Sequence, residues 1–250
     1  MAIGSSEQPA RFASTHWSVV AAAAESKAPG GAEALERLCA AYWYPLYAFL
    51  RRKGHSAEEA EDLTQSFFAE RVVTRRALQE LSPEKGKFRT WLLTCLNNHV
   101  AHERQRDAAK KRGGDVIHVP LELPDLGEAE GRYQAEPFHN LNPEKLYERA
   151  WALALLDHAH EELQSSYIKS GRGDLFQALR GFLPGANGSR PHAEVAKELG
   201  KSEDSVKMAV SRFRQEFGRV LRSQIQKTVA DERQAEEELR DLIAAVGATN

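Results

Sequence analysis

Two sets of side chains in this 250-residue chain are of types that could do chemistry. The first is metal-like: His99 with His102 and Glu103, and His158 with His160 and Glu161. On a helix His99 and His102 share a face but His158 and His160 do not, and no H-E-x-x-H spacing occurs, so the pattern of a zinc hydrolase is missing. The sequence also lacks a phosphate-cradling G-x-x-x-x-G-K-[ST] loop and a G-x-S-x-G nucleophile turn. Cys39 and Cys95 each fall inside an apolar helical pattern, which suits buried reduced thiols better than a disulfide or a metal pair. The expectation is a non-enzyme with no catalytic residue, no metal and no cofactor.

The second set is cationic and short-polar, suited to phosphates and base edges. It is densest between Arg190 and Phe217. Val195, Ala196 and Leu199 give a short helix one apolar side, Gly200 supplies a permissive stop, and Ser202 can cap the next helix. In that second helix Val206, Ala209, Val210, Phe213 and Phe217 recur on one face and pack inward. Ser205, Lys207, Met208, Ser211, Arg212 and Arg214 are thereby turned outward. A helix-turn-helix presents such a face to the major groove, early residues near base edges and cations near phosphates. A plain helical hairpin would carry a Glu/Lys mixture there instead.

The whole chain is not basic: the formal net charge is −2 and the pI about 6.5. A protein that grips DNA unaided usually has a strongly basic domain. Positive charge is local instead, at Arg104, Arg106, Lys110, Lys111 and Arg112, and again at Lys207, Arg212, Arg214, Arg219 and Arg222. Two basic patches on an acidic chain fit delivery to DNA by a larger partner. No apolar run approaches the roughly 20 residues that span a membrane, and the N-terminus lacks the layout of a secretion signal, so a cytoplasmic location without membrane insertion is expected.

The elements that must position these residues read as helices. Residues 1–14 are small and polar and are expected to be disordered. A short helix is expected over His16 to Ala24, and a second from Leu35 through the aromatic block Tyr42-Trp43-Tyr44-Pro45-Leu46-Tyr47, where Pro45 should kink the helix or start a new one. At this apolar density the block is core rather than a stacking surface for bases. Ser56 and Glu59 form a capping box opening a helix over 57–72, with Ala60, Leu63, Thr64 and Phe67 inward and Glu58, Asp62, Gln65 and Ser66 outward. Periodicity alone makes that outer stripe a solvated face. From Phe88 a long helix buries Phe88, Leu92, Cys95, Leu96 and Val100, and its polar side carries Thr90, Thr94, Asn97, Arg104 and Gln105 into the basic cluster. Residues 113–142 lose all period and read as a linker. Asn142-Pro143 restarts helix with Leu146, Trp151, Leu153, Leu156 and Leu163 inward, a further helix spans about 174–183, Pro184 to Gly188 form a loop, and a charged amphipathic helix spans Asp231 to Val246.

The order of pieces resembles the bacterial RNA polymerase sigma factors of the extracytoplasmic-function (ECF) type. Tyr44-Pro45-Leu46-Tyr47, Ala60-Glu61-Asp62-Leu63-Thr64-Gln65-Ser66-Phe67-Phe68 and Phe88-Arg89-Thr90-Trp91-Leu92 look like that family's second conserved region, and His192 to Arg214 looks like its fourth. The resemblance implies an all-α protein of two helical domains joined by a long flexible linker: 15–112 like region 2, 113–142 linker, 143–222 like region 4, and a C-terminal helical extension over 223–250. It implies that Glu58, Asp62, Gln65 and Ser66 dock on the beta-prime clamp helices of core polymerase, with further contact to the beta subunit. Lys87, Phe88, Arg89, Trp91, Asn97, Asn98 and Arg104 would open and hold the minus-ten element, which needs a pocket for an extruded base and cations along the strand. Ser205, Lys207, Met208, Ser211, Arg212 and Arg214 would read the minus-thirty-five element.

The chain departs from the family pattern in its long linker, the added helix near 175–183, the extension after 222, and Ser66, which stands where the family commonly has an acidic residue. The extension is a candidate for holding the DNA-binding parts inactive or for binding a regulator such as an anti-sigma protein. Two other functions compete with promoter recognition. A stand-alone helix-turn-helix regulator would bind DNA without polymerase, against the low net charge and the Asp62–Gln65 stripe. A helical metalloenzyme would need a ligand set that the histidine spacing does not supply.

Overall fold

The computed structural model describes residues 16–25, 30–74, 76–79, 81–82, 84, 86–109, 126–136, 142–184 and 190–247. The expected N-terminal tail, Lys110, Lys111, Arg112, most of the expected linker and the loop at 185–188 lie outside the described residues. Among the described residues the fold is all-α, with no strand.

Helix α2 (Gly31–Arg52) forms the axis, with α1 (Trp17–Ala24) packed along it. Every residue of α2 from Ala41 to Leu50 is buried, as a helix apolar on all sides requires. Trp43 stacks on Tyr47 with ring centroids 5.3 Å apart and planes 8° apart, so the aromatic block is core. Pro45 neither ends α2 nor starts a new helix. It removes the N–H that would bond the Ala41 carbonyl, but buried neighbours on all sides hold the turn together.

Ser56 and Glu59 form the expected capping box, with bonds of 3.1 and 3.0 Å. It opens α3 (Ala57–Phe67), which does not continue to residue 72 as a plain α-helix: Phe68–Val73 form a π-helical turn, followed by α4 (Arg76–Gln79). Phe67 and Phe68 are both buried, although neighbours on an α-helix point about 100° apart. A wider turn accommodates the change of direction.

After α5 (Phe88–Ala109) the sequence pattern indicated only linker, yet α6 (Leu126–Ala135) forms within it. Among its residues of described burial the one buried apolar residue is Ala129, too little to leave a period. Polar contacts to α2 hold it instead. Glu130 accepts from Tyr47 Oη at 2.5 Å and from the Arg51 fork at 2.9 and 2.8 Å, and Glu136 meets Arg52 and accepts from Tyr44 Oη at 2.7 Å. The Arg51 hydrogen bonds hold the Glu130 carboxyl down to about 2.

Helix α7 (Pro143–Lys169) starts at Asn142, whose Oδ1 accepts from Lys145 N at 2.8 Å. It packs on α2 with one part and on α8 (Gly173–Leu179) and α10 (Glu203–Gln226) with another, so it is shared between the two halves. Tyr147 is buried against Phe49, ring centroids 6.2 Å apart. A 3-10 turn, Arg180–Phe182, follows α8, and α9 (His192–Leu199) precedes α10. The last helix, α11 (Glu232–Gly247), lies on α7 and α10. The N-terminal part closes the arrangement, as Trp17 N donates to the Lys227 carbonyl at 3.0 Å and His16 bonds Gln224 at 2.9 Å.

Candidate nucleic-acid interface

The turn between α9 and α10 is built as its residues dictate. Gly200 takes φ 62°, a left-handed conformation that glycine adopts at no steric cost, and Ser202 Oγ accepts from Ser205 N at 3.3 Å. Val206, Val210, Phe213 and Phe217 are buried, and Ala209 is half-buried beside them. Phe213 meets Tyr167 and Phe176 edge to face at 5.3 and 5.6 Å, fixing α10 on α7 and α8.

On the opposite side Ser205, Lys207, Met208, Ser211, Arg212 and Arg214 are exposed, Met208 by 57%. Lys207 pairs with Glu203 and Asp204, both at 3.3 Å. Arg214 has a second role that periodicity does not reveal. Its Nε donates to the Phe182 carbonyl at 3.0 Å, tying α10 to the 3-10 turn.

The stripe on α3 is only partly as expected. Glu58 and Asp62 are exposed, while Gln65 is half-buried and donates to Glu61 at 3.0 Å. Ser66 does not face outward: it is half-buried, and its Oγ bonds the Leu63 carbonyl at 3.2 Å and His99 Nε2 at 2.9 Å. It sits on the flank between inward Leu63 and Phe67, where α5 supplies a buried partner.

The start of α5 differs most from expectation. Phe88 is buried as its place in the apolar stripe predicts, edge to face with Tyr42 at 5.4 Å and Trp17 at 6.3 Å, and this burial is at odds with the minus-ten contact that the resemblance implied for it. Arg89 is also buried, 4% exposed, where an outward cation was expected. Its guanidinium forks onto Glu238 of α11, donates to Glu148 of α7 at 2.8 Å, and lies 3.6 Å from the Trp151 ring centroid. Lys87 meets the same Glu238 at 2.5 Å and also pairs with Asp241. The physical reason is a segment almost 150 residues away in sequence, which no local pattern can report.

Burial alone would push the Arg89 and Lys87 pKa values down. Glu238 with Glu148, and Asp241 with Glu238, outweigh it, and both are raised. Further along, Trp91 and Asn97 are half-buried and Asn98 and Arg104 exposed. Asn97 donates to the Leu93 carbonyl at 3.0 Å and accepts from Lys53 at 3.1 Å.

Of the histidine sets, the structure brings His99 and Glu103 together with Glu70 of the π turn, ligand atoms within 4.8 Å of one another. Arg106 occupies the same cluster, 3.2 Å from Glu70 and 2.6 Å from Glu103, and supplies the positive charge there. Burial lowers the His99 pKa, keeping it neutral. His160 stacks on Phe217 with centroids 4.7 Å apart, a packing role. Sequence reasoning placed Trp151 inward but missed Glu148, Glu130 and Glu136; the acidic residues were visible, but their partners were not.

Residues 40–110, from within α2 to the end of α5, match the family model of Sigma-70 region 2. The match is a likeness of this one segment, residues 40–110 of the 250, to that region. No curated protein and no solved structure matches the chain. Among the described residues no helix is long and apolar enough to cross a membrane.

Proposed function

We propose that this chain is an ECF-type sigma factor, a promoter-specificity subunit of bacterial RNA polymerase that carries no catalytic step of its own. The observation that carries the reading is the Sigma-70 region 2 match over 40–110 followed, in the same chain, by a helix-turn-helix whose second helix presents Met208, Ser211 and Arg212 to solvent. In this proposal 15–112 acts as region 2 and 143–222 as region 4, with 113–142 between them and 223–250 beyond. Glu58, Asp62 and Gln65 form the edge that docks on the beta-prime clamp helices. Trp91, Asn97, Asn98 and Arg104, with Lys87 and Arg89 once uncovered, line the path of the minus-ten strand, where cations track the backbone and an aromatic ring can stack a base. Ser205, Lys207, Met208, Ser211 and Arg212 approach the minus-thirty-five groove, with contact to the beta subunit nearby. The reading places the protein in the cytoplasm, beside a regulator such as an anti-sigma protein.

The test is to mix the purified chain with core RNA polymerase and a promoter library and to map transcript starts. Start-site-specific transcripts that depend on the chain are expected. Sequence-specific duplex binding by the chain alone, with no polymerase association, would instead establish the stand-alone regulator.

A further inference from the structure

Helix α11 fastens to the rest of the protein in an unusual way. Among its residues only Ala235, Glu238 and Leu242 are buried, and Ile243 is 61% exposed. Leu239, Ala245 and Val246 pack half-buried beside them, and to this modest apolar area the helix adds ion pairs, Glu238 to Arg89 and Lys87 and Asp241 to Lys87, and one hydrogen bond, the Val246 carbonyl accepting from Arg149 at 3.0 Å. A buried ion pair contributes little net stability, because desolvation cancels most of the attraction. Elements with few buried apolar contacts are the ones that open first.

What α11 covers matters as much. A guanidinium fork and an ammonium converge on one carboxylate beside an indole, and that arrangement is equally suited to a phosphate, which the same fork binds in the same bidentate way. Residues 231–250 carry six acidic side chains against two arginines, so the chain without them changes from a formal charge of −2 to +2. We propose that α11 is a displaceable acidic helix that occupies, in the free protein, the Lys87–Arg89 corner to which a nucleic-acid backbone binds. Glu238 stands in for the phosphate, so strand binding and α11 docking exclude each other. This rests on the sigma-factor reading for the identity of the strand, but the competition itself is a property of the corner.

Two arms test it separately. In the first, the full chain and a chain ending at Ala230 are titrated, without polymerase, against a fluorescent single-stranded DNA oligonucleotide at low salt, with thermal melts confirming that both are folded. The shortened chain should bind at least ~10-fold tighter, the factor expected when the open corner is populated a tenth of the time or less. Its Arg89→Met form should lose most of that gain, which a mere change in net charge would not predict. In the second, hydrogen exchange over 232–247 is followed in the full chain with and without the oligonucleotide and with and without core polymerase. Loss of protection in α11 on oligonucleotide addition is expected. Equal affinities for the two folded chains, or α11 amides equally protected while the oligonucleotide is bound, would overturn the proposal. Failure of both chains to bind core polymerase would sink the sigma-factor reading, while the oligonucleotide arm would still decide the competition. Should the shortened chain not fold, the exchange arm on the full chain decides it.

Discussion

The outward face of α10 and the first turn of α5 were both expected to meet DNA, the second through the family resemblance alone, and they end in opposite conditions. On α10, Met208, Ser211 and Arg212 stand in solvent. On α5, Arg89 is closed in by Glu148, Trp151 and Glu238. Helical periodicity assigns a side chain to the far side of its own helix. It cannot say whether a later helix will lie on that side. The difference between the two surfaces is thus a difference in what covers them, and the substitutions below probe it in order of decreasing effect.

Phe213→Ala should cost about 4 kcal/mol by emptying the aromatic contact of α10 with α7 and α8. Urea denaturation followed by circular dichroism would measure it, and a loss under 1 kcal/mol would mean α10 is not held by this core. Arg89→Ala should cost about 3 kcal/mol, because Glu238 stays buried with only Lys87 to meet it. The double variant Arg89→Met with Glu238→Leu should recover most of that stability, since an apolar pair of similar size replaces a buried ion pair at little cost. If the double variant is no better than the single one, the corner is not an ion pair with a separable partner. On the open surface the ranking inverts. Arg212→Ala should change stability by no more than about 0.5 kcal/mol, yet weaken promoter-dependent transcription by an amount equivalent to about 1–3 kcal/mol if it contacts a base. Equal transcription would remove Arg212 from the reading surface.

The smallest effect is one of pH. Burial lowers the His99 pKa in the folded chain below its ordinary 6.5. Between the two values the unfolded chain binds the extra proton, so His99 contributes stability above pH 6.5 that is lost as pH falls toward the folded value. The melting temperature should decline over that window, and His99→Gln should flatten the decline. An unchanged slope would show that His99 is not the group responsible.

Much of the local structure was legible because it is decided locally. Ser56, Asn142 and Ser202 all cap the helices they were expected to cap, and Gly200 makes the turn. The aromatic block of α2 was rightly assigned to the core on apolar density alone. Of the two outcomes expected at Pro45, a kink or a new helix, the new helix does not occur, because surrounding packing compensates one missing hydrogen bond. Helix α6 was invisible because tyrosines and arginines on α2 hold it, not an apolar stripe of its own. Ser66 and Arg89 were misplaced for one reason: each is polar, and each is drawn inward by a partner from another element. Polar residues report their surroundings only once those surroundings are known.

Helix α7 has a mechanical consequence. Its 27 residues make a continuous rod about 40 Å long, one part gripping α2 through Tyr147 and another carrying α10. While that grip lasts, the separation between the α3 edge and the α10 face is the property of a stiff strut; prising Tyr147 from Phe49 would alter it at once.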